Sequence, residues 1–316
     1  MASPQRLVSK LQCISPLPMQ SIPQIRRFLS PKSPVREVRK KELENTNRLS
    51  PFNVDTPNRK RILNYGLPSK RRTILGSGSF ATVYKASYKG DQVAAKIIET
   101  RRGSDAVMNS EKHASFLRHS NIVKVLTIEK GTSVSLITME LCGPTLQDRL
   151  EECELPKEQR VRILRDIACA LQFCHKSRIL HADVKPKNIL IAEDGQPKLT
   201  DFGSSILMDE PYNANEFHGT PGYAAPEILK GDIPTPAADV YSLGIVAWQM
   251  ISRKVPFIGL HIHTVIYLSA KGMRPSDDLD DGFNGKYKIL YRKMWSQNIE
   301  ERPLIKDVID RIDELI

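Results

Sequence analysis

His181-Ala182-Asp183-Val184-Lys185-Pro186-Lys187-Asn188, followed by Asp201-Phe202-Gly203, decides the fold of this 316-residue chain. Asp183, Lys185, Asn188 and Asp201 bring two carboxylates, a lysine and an amide into one short span. Phosphoryl transfer from a nucleoside triphosphate needs this set: a proton acceptor, a point charge for phosphate, and oxygen ligands for a hard cation. Asp183 is read as the group that accepts or orients the proton of a substrate hydroxyl. Lys185 is read as a γ-phosphate contact, and Asn188 and Asp201 as ligands of Mg²⁺. His181 is read as structural, because Asp183 occupies the proton-accepting place.

Working upstream, Gly76-Ser77-Gly78-Ser79-Phe80-Ala81-Thr82-Val83 reads as a turn between two strands. Glycines there let backbone N–H groups come close to phosphate oxygens. Lys96 ends Val93-Ala94-Ala95-Lys96, and on a strand Ala94 and Lys96 share one face. A lysine so placed reaches the α- and β-phosphates and needs a fixed anion. Glu111, on the helix expected near 106–118, is the best candidate. Each motif alone is weak. Their ordered set, closed by Ala225-Pro226-Glu227, is specific.

Charge divides the chain. Residues 1–72 hold 16 Lys/Arg against 4 Asp/Glu and 9 of the 21 prolines, while the remainder holds 31 basic against 32 acidic residues. The net +11 therefore belongs to the front. Residues 1–60 read as a disordered basic tail rich in proline and serine. Its Ser/Thr-Pro pairs, at Ser3, Ser15, Ser30, Ser33, Ser50 and Thr56, are minimal sites for proline-directed kinases. Arg39-Lys40-Lys41 and Arg59-Lys60-Arg61 read equally as a bipartite nuclear signal, a docking segment or a solubilising tail. Few aromatics accompany them, which argues against a nucleic-acid surface. Five scattered cysteines (Cys13, Cys142, Cys153, Cys169, Cys174) suit free thiols in a reducing compartment. The apolar run at 243–251 is too short for a bilayer, and the N-terminus lacks a signal-peptide core. The expectation is a soluble, cytoplasmic monomer with no membrane partner and with nuclear entry left open.

From Thr73 the pattern changes to short strands: Ile74-Leu75, Ala81–Ala86, Gln92–Ile98, Ile122–Glu129 and Ser133–Glu140. Helices follow, notably Pro156–Lys176 and an all-round apolar one at Asp239–Ile251. The fold class is α+β, with a strand-rich part followed by a helical part.

These residues together resemble the eukaryotic protein kinases, over about residues 65–316. The resemblance implies a two-lobed kinase domain at 61–316, with an N-lobe at about 65–142 and a C-lobe at about 143–316. Lys185-Pro186-x-Asn188 and Gly219-Thr220 look like the serine/threonine class. The implied ATP-binding set is Gly76, Ser77, Gly78, Ser79, Phe80, Ala81, Val83, Ala94, Lys96, Glu140, Cys142 and Leu190, with Met139 as gatekeeper and Glu140-Leu141-Cys142 as hinge. Asp239 matches the core-helix aspartate, and Arg302 the arginine that pairs with Glu227. Gly131…Ile137-Thr138-Met139-Glu140, Trp248-Gln249-Met250 and His263-Thr264-Val265-Ile266-Tyr267 are similar to the Mos subfamily. That likeness implies a MAP kinase kinase kinase of germ cells that phosphorylates a MAP kinase kinase during oocyte maturation. Another kinase of that tier, or a scaffolding pseudokinase, are the alternatives.

Ala182 departs from the kinase pattern, which has arginine there to bind a phosphate on the activation loop. Residues 206–218 contain no Ser or Thr, but carry Asp209, Glu210 and Glu216. Activity is therefore expected to be independent of loop phosphorylation and controlled by abundance.

Overall fold

The computed structural model describes residues 52–67, 72–78, 81–100, 104–212, 218–278 and 285–315, all within one unit. Its N-terminal part is a six-stranded sheet made of β1 (Phe52–Asn53), β2 (Ile74–Ser77), β3 (Ala81–Tyr88), β4 (Asp91–Glu99), β5 (Val125–Lys130) and β6 (Val134–Glu140). The order is β1-β3-β4-β6-β5, with β2 also paired to β3. Only β1–β3 is parallel. β2 occupies the first half of one β3 edge (Thr82–Tyr84), and β1 continues along it at Ala86 and Ser87.

β4 explains the layering. Its residues Val93 to Ile98 are all buried, so both faces of the strand are covered. A strand covered on both sides reads as a continuous apolar run rather than an alternating one. One face carries Ala94 and Ile98, which pack with Met108 of α2 (Ser104–Ala114) and with Val123, Ile137 and Met139. The other face carries Val93, Ala95 and Ile97, covered by Val54 and by Ile62 of helix α1 (Asn58–Tyr65).

Residues 52–65 thus correct the expected boundary: the disordered tail to residue 60 and the lobe start near 65 give way to an N-terminal strap. Arg59, read as part of a basic cluster, is 5% exposed. It donates to Glu129 (2.5 Å), Thr138 (3.2 Å), Thr127 and the Val54 carbonyl (3.4 Å). Gly131 completes the fit, because a Cβ there would stand 2.2 Å from the Leu63 carbonyl oxygen. Thr56 is exposed at the start of the strap. The other Ser-Pro sites, Cys13 and the 39–41 cluster lie outside the described residues.

The C-terminal part is helical: α3 (Leu146–Glu152), α4 (Lys157–Lys176), α5 (Pro226–Lys230), α6 (Pro236–Ser252), α7 (Ile262–Ala270), α8 (Lys286–Met294) and α9 (Ile305–Asp313). Short pairs β7 (Ile179–Leu180) with β10 (Ile206–Leu207), and β8 (Ile189–Ile191) with β9 (Pro197–Leu199), carry the loops between α4 and α5. Every residue of α6 from Ala238 to Met250 is buried, as its uniform apolarity predicts. Gly244 lets α8 approach, since a Cβ would meet Met294 Cβ at 2.9 Å and the backbone of Trp295 at 3.2 Å. The four cysteines among the described residues, Cys142, Cys153, Cys169 and Cys174, are free. No helix among the described residues is long and apolar enough to cross a membrane.

Candidate active site

Lys96 ties the sheet to the downstream end of the opening motif. β4 delivers its ammonium to Glu111 of α2 and, at 2.6 Å, to Asp201 Oδ1. Burial alone would depress the lysine, but the Asp201 and Glu111 charges outweigh it and hold its pKa above the ordinary value. The Lys96 charge in turn pulls Asp201 down to about 2. Burial raises the Glu111 pKa, against the pull of Lys96. Asp201 sits in the left-handed region (φ 65°) and opens a 3₁₀ turn at Phe202–Ser204. Phe202 packs edge-to-face against the His181 ring, with centroids 4.8 Å apart.

Helix α2 is fixed against this turn by contacts that sequence reasoning missed. Ser110 Oγ donates to the Ser205 carbonyl (3.0 Å), and Ser205 Oγ returns a bond to the Ser110 carbonyl (3.4 Å). A Cβ on Gly203 would stand 3.0 Å from Val107 Cγ1. Serines next to motif residues give no distinctive signal in a single sequence.

A second cluster surrounds Asp183, which is 9% exposed. Lys185 Nζ reaches its Oδ2 at 2.6 Å, and Thr220 donates to its Oδ1 at 2.7 Å. Lys185 also bonds Thr220 Oγ1 at 2.7 Å. Asn188 uses its amide nitrogen on the Asp183 carbonyl (2.9 Å) and Oδ2 (3.1 Å), which leaves its amide oxygen as the group a cation can take. The catalytic loop hangs from Asp239 of α6. That carboxylate accepts from the backbone N–H of His181 (3.0 Å) and Ala182 (2.9 Å) and contacts His175 Nε2 at 2.8 Å. Burial alone would raise its pKa, but the His175 contact prevails and it lies below the ordinary range. These bonds hold Ala182 at φ 60°, a left-handed conformation costly for a residue with a Cβ.

Ala81, Val83, Ala94, Cys142 and Leu190 converge with Met139 in one apolar cluster. Leu190 comes from β8, so both halves of the chain line it. Gly76 and Ser77 end β2, and Gly78 N–H bonds the Ala81 carbonyl at 2.8 Å. Ser79 and Phe80 lie outside the described residues. The Glu140 side chain is held by Lys198 (2.9 Å to both oxygens) and the Lys124 N–H (2.7 Å), so its backbone is what remains for a nucleotide base. Cys142 is pushed up to about 11 by burial, which makes its thiol a poor nucleophile. Away from the cleft, Arg302 grips Glu227 with two bonds (2.6 and 2.8 Å), tying α5 to the chain before α9.

Among the described residues, no three His, Cys, Asp or Glu side chains gather as a metal site. Asn188 and Asp201 supply hard oxygen donors, two in number. That suits a cation shared with the phosphates of a nucleotide.

Residues 69–311 match the protein kinase domain family. The chain is 33% identical over 255 residues to the serine/threonine-protein kinase mos of Patiria pectinifera, covering 75% of this chain and 72% of that protein. It is 37% identical over 227 residues to the proto-oncogene serine/threonine-protein kinase mos of Mus musculus, covering 64% of this chain and 66% of that one. It is 38% identical over 227 residues to the transforming protein mos of Moloney murine sarcoma virus, whose length it covers to 61%.

Proposed function

Because the chain belongs to the protein kinase family, as a relative of the mos serine/threonine kinases, we propose that it acts in germ cells as a MAP kinase kinase kinase. It is an ATP-dependent serine/threonine kinase that works with a divalent cation. In the reading advanced here the cation is Mg²⁺, the acceptor is a serine or threonine of a MAP kinase kinase, and the enzyme works in the cytoplasm.

The observation that carries the reading is the convergence of Lys96, Glu111 and Asp201 beside the Asp183–Lys185–Asn188–Thr220 cluster. Asp183 accepts the hydroxyl proton of the acceptor, and Thr220 and Lys185 fix that carboxylate. Lys185 and Lys96 supply positive charge along the triphosphate. Asn188 and Asp201 would hold the cation, which when bound would supply charge to offset that on the transferred phosphoryl group. The Val83, Ala94 and Leu190 side chains receive the base. A scaffolding pseudokinase would have no need of this paired geometry.

Activity here does not wait on activation-loop phosphorylation. Ala182 offers no cation for a phosphate, and Asp209 already engages Arg178 (2.8 Å). Phosphatase treatment that abolished activity, with the loss mapped to residues 204–212, would refute this.

The test is transfer by the full chain from Mg-ATP to a purified, kinase-inactive MAP kinase kinase. Phosphoserine or phosphothreonine should appear on that protein's activation loop. Transfer to a generic peptide but not to this protein removes the substrate assignment. Asp201→Ala that left downstream signalling intact would favour scaffolding.

A further inference from the structure

Thr220, bonded to Asp183 and Lys185, marks where an acceptor hydroxyl must lie. The chain turns immediately after it: the N–H groups of Tyr223 and Ala224 both return to the Thr220 carbonyl at 3.0 Å. Gly222, at φ 95°, packs on Pro256; a Cβ there would stand 3.3 Å from Pro256 Cγ. Tyr223 then anchors in the core through Gln249 (2.6 Å). The acceptor floor therefore runs directly onto the loop between α6 and α7.

That loop is apolar and outward-facing. Val255, Ile258, Leu260 and Ile262 are 37%, 67%, 48% and 36% exposed. Single exposed apolar side chains are ordinary, but four within eight residues mark an interaction surface. The loop is also stiff. Phe257 and Gly259 are both left-handed (φ 56° and 88°), and two turns close at Ile258 N–H to Val255 (3.2 Å) and Leu260 N–H to Phe257 (3.1 Å). A bulky residue at positive φ is strained, and strain persists where surrounding structure fixes one shape. A stiff apolar loop loses little entropy on binding.

We infer that the 255–262 loop is the docking surface for the folded protein substrate, receiving an apolar face of that protein while its serine or threonine sits at Asp183. The inference rests on the substrate reading above. The continuity from Thr220 through Gly222 to Pro256 selects the acceptor protein as occupant, because no other partner must lie against that floor in every turnover.

The experiment compares the full chain with its I258D/L260D variant on two probes. One is folded, kinase-inactive MAP kinase kinase, and the other a short serine peptide from its activation loop. Both substituted side chains are exposed, and the peptide reaction reports that the fold and ATP site survive. Loss of two apolar anchors should raise KM for the folded probe by about tenfold or more, leaving kcat/KM on the peptide unchanged. An unchanged KM for the folded probe overturns the docking surface, as does an equal loss on both probes. Wild-type dimers that the variant dissolves in sedimentation, with folded-probe kinetics unmoved, also overturn it, since the occupant is then a second copy. A wild-type chain inactive on both probes overturns the substrate reading instead.

Discussion

Replacing Arg59 with alanine tests whether the strap is part of the kinase domain. The guanidinium bonds two groups in fully buried residues: the Thr138 hydroxyl and the carbonyl of Val54, both residues 0% exposed. Each buried group left unpaired costs about 1–3 kcal/mol. Glu129 is 41% exposed and rehydrates, so its loss adds little. The substitution also removes the guanidinium that stands over the Tyr88 ring at 5.3 Å. The sum is about 3 kcal/mol, or a fall in Tm of about 6–12 °C for a domain of this size. Thermal unfolding of the full chain and Arg59→Ala measures it. Arg59→Lys should recover only part, because one ammonium cannot serve the bonds of a planar fork. A fall below about 2 °C would show the strap to be a loosely held tail. A fragment starting at residue 60 should fare worse still, since it also loses Phe52 and Val54 from the back face of β4.

Asp183→Asn should lower kcat by about 10²–10⁴ with little change in KM for ATP, measured by steady-state phosphate transfer. Glu111→Gln leaves Asp201 as the one charged partner of Lys96 and weakens the hold of α2 on that ammonium, so kcat/KM for ATP should fall about 10- to 100-fold. Asp239→Asn should cost about 3 kcal/mol near neutral pH by removing the buried charge that accepts from the His181 and Ala182 N–H groups and contacts His175. Because the folded pKa of Asp239 is depressed, its stabilisation is present above the unfolded value near about 4 and is lost as pH falls through the folded one. Urea titrations of both proteins from pH 7 downward should therefore converge in acid, and parallel curves would sink that account.

The chemistry was readable from sequence because phosphoryl transfer tolerates few residue types at each position. Asp183, Asn188, Asp201, Lys96 and Glu111 announce themselves by spacing, and the structure brings all five to one cleft. The strap was not readable in the same way. A chain segment with Pro57 and the run Arg59-Lys60-Arg61 has the composition of a solvated tail, and only Val54, Arg59 and Ile62 of it are buried. A buried arginine looks the same in sequence as an exposed one. The available signal lay elsewhere, in β4, whose Val93, Ala95 and Ile97 are apolar opposite an already apolar face. Something had to cover that side, and among the described residues Val54 and Ile62 of the strap do so.

Ala182 carries the last step. Its backbone is held by Asp239 through N–H bonds, so this anchor of the catalytic loop does not require an arginine side chain at position 182. What an arginine would contribute is a hold on a loop phosphate, and among the described residues 206–208 are fastened without one. The β7–β10 pairing and the Met208 N–H bond to the Arg178 carbonyl (2.9 Å) fasten the segment through backbone. The Arg178–Asp209 pair beside them is exposed on both sides, at 59% and 66%, and surface pairs contribute little. The backbone pairing therefore does most of the fastening, and it needs no phosphate. This backbone fastening supports the proposal that activity does not wait on loop phosphorylation, and phosphatase treatment of the active chain tests it.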